Sequence, residues 1–108
     1  MASINGLRGK FGLANYSASK AGLVGLTRTV ARELGRYNVN VNAVAPGYIL
    51  TPLTEKLPQK FIDAALAETT LGRLGTPEDV ANVILFLCSD LAKHITGEVI
   101  TVDGGQVV

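Results

Sequence analysis

Tyr16 and Lys20 stand four residues apart in a stretch that reads as the start of a helix, so they share one face about a turn apart. A phenol beside an ammonium is a proton-transfer pair, because the positive charge favours the phenolate and eases the proton's passage to or from a reacting oxygen. Ser3 lies thirteen residues before Tyr16, where a strand could be ending. In open α/β sheets ligands bind beyond the carboxyl ends of the strands, so a serine there could hydrogen-bond a substrate carbonyl. Each feature alone has a plainer reading. The pair is equally a half-buried ring next to a solvated amine, and Ser3 is equally a loop hydroxyl.

The elements that must position these groups follow from periodicity. Residues 6–12 form a glycine-rich loop. From about Tyr16 to Gly35 apolar residues recur at helical spacing, with Leu23, Leu26, Val30 and Leu34 on one stripe and Val24 and Ala31 beside it. Gly35 supplies a helix stop. Val39 to Ala45 alternates as a strand and halts at Pro46-Gly47. Residues 51–75 are broken by Pro52, Pro58, Gly72 and Gly75, around one short helix from Gln59 to Glu68. Thr76-Pro77-Glu78-Asp79 predicts a sharp helix start: a capping hydroxyl, proline at the first helical position and acids in the first turn. Val80, Val83, Ile84, Leu87 and Cys88 continue that helix, and Val99 to Val102 is the last strand.

Strands alternating with helices imply an α/β fold with a parallel sheet. Two strands are too few for such a sheet, which needs several strands and cover on both faces. The missing strands are most simply supplied by sequence upstream of Met1. Charged residues make up 18% of the 108, below the ~25% of a typical soluble domain, although a small domain has more surface to cover and should be more polar. The chain therefore reads as a piece that buries its faces against something else.

Other classes find little support. A net charge of +1 offers no field to recruit nucleic acid or an acidic membrane surface. No apolar run reaches the ~18 residues of a membrane span, and Met1-Ala2-Ser3 leads into no signal-peptide pattern. Cys88, the single cysteine, suits a reducing cytosol and sits on the apolar stripe of the last long helix, where it reads as core. His94 reads as a surface or turn residue, and Arg32, Glu33 and Arg36 as a solvated face or the rim of a subunit contact. No residues have metal-ligand spacing.

Taken together, the segments carry a resemblance. Ser3, Gly12 and Asn15-Tyr16-Ser17-Ala18-Ser19-Lys20-Ala21-Gly22 resemble the active-site segment of the short-chain dehydrogenases/reductases. Val41-Asn42-Ala43-Val44-Ala45-Pro46-Gly47, with Ile49 and Thr51, resembles that family's strand and nicotinamide-side loop. Gly72-Arg73-Leu74-Gly75, Pro77-Glu78-Asp79-Val80-Ala81, Ile95-Thr96-Gly97-Glu98 and Asp103-Gly104-Gly105 match its C-terminal segments. The stretches come in family order and span essentially the whole chain.

The resemblance implies the C-terminal portion of a Rossmann-type doubly wound sheet, one partial domain over residues 1–108. Tyr16 would exchange a proton with the carbonyl oxygen, Lys20 would hold the nicotinamide ribose and assist Tyr16, and Ser3 would polarise the carbonyl. The Ile49 main chain and the Thr51 hydroxyl would anchor the carboxamide, with Pro46 and Gly47 shaping that turn. Residues 51–70 would form a mobile substrate loop. The cofactor would be NADP or NAD. The substrate would be a carbonyl or alcohol, best matched by a 3-oxoacyl thioester of fatty acid biosynthesis, in a cytoplasmic homo-oligomer, a tetramer in the family. Another alcohol, sugar or steroid dehydrogenase is the alternative within the fold. A non-catalytic self-associating fragment, or a half completed by an N-terminal partner chain, is the alternative outside it.

Two departures stand out. Leu13 replaces a glutamine frequent in the most similar family members. The family's N-terminal strands, its glycine-rich phosphate loop and its catalytic asparagine have no counterpart here, and Gly6, Gly9 and Gly12 do not sit between a strand and a helix as a dinucleotide fingerprint requires.

Overall fold

Two short strands, β1 (Ala43–Pro46) and β2 (Val99–Val102), pair in parallel with Ala43 opposite Val99 and Pro46 opposite Val102. They are described in a computed structural model that covers all residues from Met1 to Val108. A parallel pair cannot be joined by a hairpin, and the crossover here runs through two helices, α3 (Gln59–Glu68) and α4 (Pro77–Leu87). Before β1 come α1 (Ile4–Arg8) and the long α2 (Ala14–Leu34). Ala2, Ala43 and Ala45 form the core with Val99 packed against them, and small side chains there let backbones approach closely.

The start of α4 follows its sequence closely. The Thr76 hydroxyl accepts from the Asp79 N–H, the Asp79 carboxylate accepts from the Thr76 N–H, and Pro77 takes the first helical position. Arg73 adds an ion pair to Asp79 at 2.8 Å. That guanidinium, together with the hydrogen bonds from Thr76, holds the Asp79 carboxyl well below the usual carboxylate range. This contribution to stability is present above the ordinary aspartate range and fades only as pH falls through the depressed folded-state value.

Several expectations need correction. The glycine-rich stretch is not all loop, because residues 4–8 form α1. The long α-helix does end at Gly35, its C-cap, but not by a left-handed glycine: the Gly35 backbone stays helical, a 3-10 turn carries on to Tyr37, and the chain reverses at Asn38, which has φ 59°. The strand begins four residues later than Val39. Over residues 39–42 asparagine side chains take over from the backbone ladder: Asn40 Nδ2 donates to the Lys93 and Ile95 carbonyls, and Asn42 bonds both Ile95 O and Glu98 N–H. The buried residues of α2 are Thr27 and Ala31, while Leu26 is 57% exposed. Cys88 is also exposed, at the side of an apolar groove rather than in the core.

The accessible surface is 7227 Å². A compact protein of this mass would expose roughly 5,700 Å². Leu26, Leu53, Leu71, Leu85 and Leu91 are all more than half exposed, so the excess is largely apolar. No helix is long and apolar enough to cross a membrane.

Gly6 explains how α1 lies against α2. A Cβ at this position would stand 2.7–2.8 Å from Lys20 C, Lys20 Cβ and Ala21 N, two backbone atoms and a Cβ fixed to the backbone, none of which can swing aside. Gly6→Ala should therefore push α1 away from Lys20 and destabilise the fold by ~1–3 kcal/mol. Chemical denaturation checks this, and a variant as stable as the parent would show that the two helices do not need this close approach.

Candidate active site

A cleft of about 290 Å³ opens where the start of α2, the loop after β1 and the end of α3 converge. Tyr16, Gly47, Ile49 and Thr51 all line it. Lys20 does not line the cleft but places its ammonium 5.7 Å from the centre of the Tyr16 ring. Lys20 Nζ donates to the Met1 carbonyl at 3.2 Å, which ties the helix to the segment entering Ser3.

Ser3 is only 7% exposed and caps α1, its Oγ accepting from the Asn5 N–H at 3.2 Å. That bond uses a lone pair and leaves the hydroxyl proton free to donate. Ser3 is thus the N-cap of a short helix rather than a loop hydroxyl, and it directly precedes Ile4 in the cleft wall. The Tyr16 side chain is 43% exposed and accepts or donates no side-chain hydrogen bond within the chain, so its phenol faces the cleft unengaged.

The loop after β1 is shaped by two close approaches. Pro46 closes β1 and does not itself line the cleft. Gly47 must lack a side chain because a Cβ there would collide with Gln106 Oε1 and stand 2.7 Å from Asp103 Cβ. Ile49 then bridges to Gly75, with Leu50 N donating to Gly75 O at 2.8 Å and Gly75 N to Tyr48 O at 3.2 Å. In a parallel bridge of this type the N–H and C=O of Ile49 point to the opposite edge. The Ile49 carbonyl accepts from Thr54 Oγ1 at 2.8 Å, and its N–H has no partner in the chain. Thr51 is held by reciprocal bonds with Thr54, its Oγ1 accepting from Thr54 N at 3.1 Å. The expected carboxamide-binding loop therefore offers a preset backbone donor at Ile49, whereas the Thr51 hydroxyl is already engaged.

Sequence reasoning missed the cluster on the far wall. Arg8 pairs with Glu68 at 2.9 Å, Gln106 Nε2 donates to the same carboxylate oxygen at 3.2 Å, and Gln106 Oε1 accepts from the Tyr48 N–H at 2.7 Å. The Arg8 hydrogen bond foremost keeps the Glu68 carboxyl below its ordinary value. These three residues link α1, the end of α3 and the C-terminal turn around the cleft. They lie 60 and 38 positions apart in sequence, and no local pattern could have flagged them. Tyr48 was missed as well: the residue lines the cleft, and its hydroxyl is buried without a hydrogen-bond partner.

Comparison with known proteins places these features. A family model described as enoyl-(acyl carrier protein) reductase matches residues 1–106. The chain is 55% identical to a 3-oxoacyl-[acyl-carrier-protein] reductase of Thermotoga maritima, over 100% of this chain and 44% of that protein. It is 50% identical to a (3R)-3-hydroxyacyl-CoA dehydrogenase of Homo sapiens, over 97% of this chain and 40% of the other. A crystal structure from Brucella melitensis, titled a short-chain dehydrogenase/reductase of the glucose/ribitol dehydrogenase type, superposes with a TM-score of 0.91 at 43% identity. That match covers 99% of this chain and 43% of that one. The chain thus spans less than half the length of these relatives. Its parallel α/β arrangement is part of their Rossmann-type fold, and the matches leave one conclusion: the chain belongs to the short-chain dehydrogenase/reductase family.

Proposed function

We propose that the 108 residues are one partial domain, the catalytic and substrate-loop half of an NAD(P)(H)-dependent reductase that interconverts a carbonyl and an alcohol. The observation that carries this reading is the convergence of Tyr16, Ile49 and Thr51 on one cleft, with Lys20 against the Tyr16 ring. In this reading Tyr16 gives its proton to the substrate oxygen during reduction and takes it back in oxidation. Lys20 stabilises the phenolate that remains, and Ser3 donates its free proton to the same oxygen.

The residues present fit the nicotinamide end of such a cofactor: a backbone N–H at Ile49 without a partner suits a carboxamide oxygen, and Lys20, beside the Tyr16 ring, would turn from the Met1 carbonyl to ribose hydroxyls. Pro46 and Gly47 set the turn that presents Ile49. When bound, the nicotinamide supplies the hydride; the residues here orient the acceptor and handle the proton.

For substrate we propose a 3-oxoacyl thioester, supported by the names of the Thermotoga maritima and Homo sapiens relatives. The excess apolar surface supports self-association, and the family's mode would be a tetramer in the cytoplasm. To test the substrate, the chain is joined behind the part of the Thermotoga maritima reductase that precedes the matched segment. It is then assayed on a 3-oxoacyl thioester and on sugar and steroid ketones. The thioester should be preferred, and Ser3→Ala should lower its turnover while leaving the fold intact. A clear preference for a sugar or steroid would overturn the substrate assignment.

A further inference from the structure

One side chain from the far end of the sequence holds the loop that presents Ile49. Gln106 lies in the C-terminal turn, and its Oε1 sits directly against Gly47 while accepting from the Tyr48 N–H at 2.7 Å. At the other end of the same residue, Tyr48 O accepts from the Gly75 N–H at 3.2 Å. Tyr48 is thus pinned through both of its main-chain polar groups. In a planar trans peptide the Tyr48 carbonyl and the Ile49 N–H point in opposite directions, so pinning Tyr48 sets the aim of the Ile49 donor.

Gln106 is itself held by Glu68. Gln106 Nε2 donates to Glu68 Oε2 at 3.2 Å, and Arg8 Nη2 donates to the same oxygen at 2.9 Å. Only one orientation of the Gln106 amide satisfies both of its neighbours. Turned over, it would set N–H against the Tyr48 N–H and an oxygen against a carboxylate. Glu68 is the last residue of α3 and Arg8 the last of α1, where Arg8 Nε also donates to Asn5 Oδ1 at 3.2 Å. The Arg8–Glu68 pair is partly exposed, and such pairs add little to stability. Its consequence lies in geometry: a carboxylate at this place decides which way the Gln106 amide faces.

We propose, on the functional reading above, that Gln106 is a positioning residue whose amide is set by Glu68 and Arg8 so that the Ile49 N–H meets the nicotinamide carboxamide. All three residues lie outside the segments that resemble the family, so the clamp belongs to this chain's own sequence. It also joins two parts of the cleft. Glu68 ends α3, within the segment expected to move over the substrate, so displacing α3 would free the Gln106 amide and loosen the aim of Ile49.

The test uses the chain joined behind the N-terminal part of the Thermotoga maritima reductase, followed by amide exchange at Tyr48 and by steady-state kinetics. Gln106→Leu removes the acceptor, so exchange at Tyr48 should quicken about tenfold or more. Glu68→Lys should do the same although Glu68 does not bond Tyr48, because an ammonium there turns the Gln106 oxygen toward itself. In both variants the KM for NADPH should rise about fivefold, the usual worth of one hydrogen bond, with a smaller change in kcat. Denaturation midpoints should stay near the parent's for Glu68→Lys, since the pair is exposed. Gln106→Glu alone sets two carboxylates face to face and should also lose protection at Tyr48. Exchanging the pair, Glu68→Gln with Gln106→Glu, puts a donor back opposite an acceptor and should restore both the protection and the KM.

Tyr48 exchange indifferent to Glu68→Lys, an exchanged pair that fails to restore it, or an unchanged KM where exchange has quickened would overturn the proposal. A joined parent without turnover whose Tyr48 exchange still answers to Glu68→Lys would defeat the functional reading alone. Turnover without that response would defeat the clamp alone.

Discussion

Tyr16→Phe, in the chain joined to an N-terminal half, should lower turnover by ~10²–10⁴-fold, the usual worth of a general acid, while reduced cofactor still binds. The substitution removes one hydroxyl and keeps the ring, so the cleft wall and the packing of the Lys20 stem beside it stay in place. Among the cleft residues Tyr16 carries the exposed hydroxyl next to an ammonium, whereas the Tyr48 hydroxyl is buried and Thr51 is bonded to Thr54. Lys20→Met should act differently. In the proposed reading it would remove both the charge that stabilises the phenolate and a donor to the cofactor ribose, so turnover and cofactor affinity should fall together. Steady-state kinetics with fluorescence titration of NADPH separates the two patterns. Near-normal turnover in Tyr16→Phe would remove Tyr16 from the mechanism.

The second large effect concerns the 108 residues alone, which should show no measurable hydride transfer. Holding a nicotinamide and a carbonyl at reacting distance can be worth ~7–11 kcal/mol. Most of the binding free energy that fixes such a cofactor comes from its pyrophosphate, bound at a glycine-rich turn and a helix N-terminus. Neither Gly6, inside α1, nor Gly9 and Gly12, between α1 and α2, forms a strand-to-helix turn of that kind. In the proposed reading this chain would offer only contacts at the nicotinamide end: one preset N–H at Ile49, and the Tyr16 side chain with Lys20 beside its ring. Those contacts would orient a ring that something else must hold.

How much of this was legible in the sequence depends on the range of the interactions involved. The capping box at Thr76–Asp79 and the bounds of α3 are local chemistry, and both were readable from residues a few positions apart. The Tyr16–Lys20 face is one helical turn and was equally plain. The start of β1 was misplaced because residues 39–42 alternate like a strand but satisfy their neighbours through the Asn40 and Asn42 side chains. Cys88 was misjudged because helical periodicity says which residues share a face and not whether that face is covered. The Arg8–Glu68–Gln106 cluster needs three distant segments to meet, and only the folded chain brings them together.

The most direct test follows NADPH oxidation with a 3-oxoacyl thioester in three samples: the 108-residue chain, the same chain joined behind an N-terminal half, and that joined protein carrying Tyr16→Phe. Turnover is expected in the second sample only, at a level that falls by ~10²–10⁴-fold in the third. Turnover by the 108 residues alone, or a joined protein indifferent to Tyr16→Phe, would contradict the assignment of this cleft as the catalytic half of a reductase.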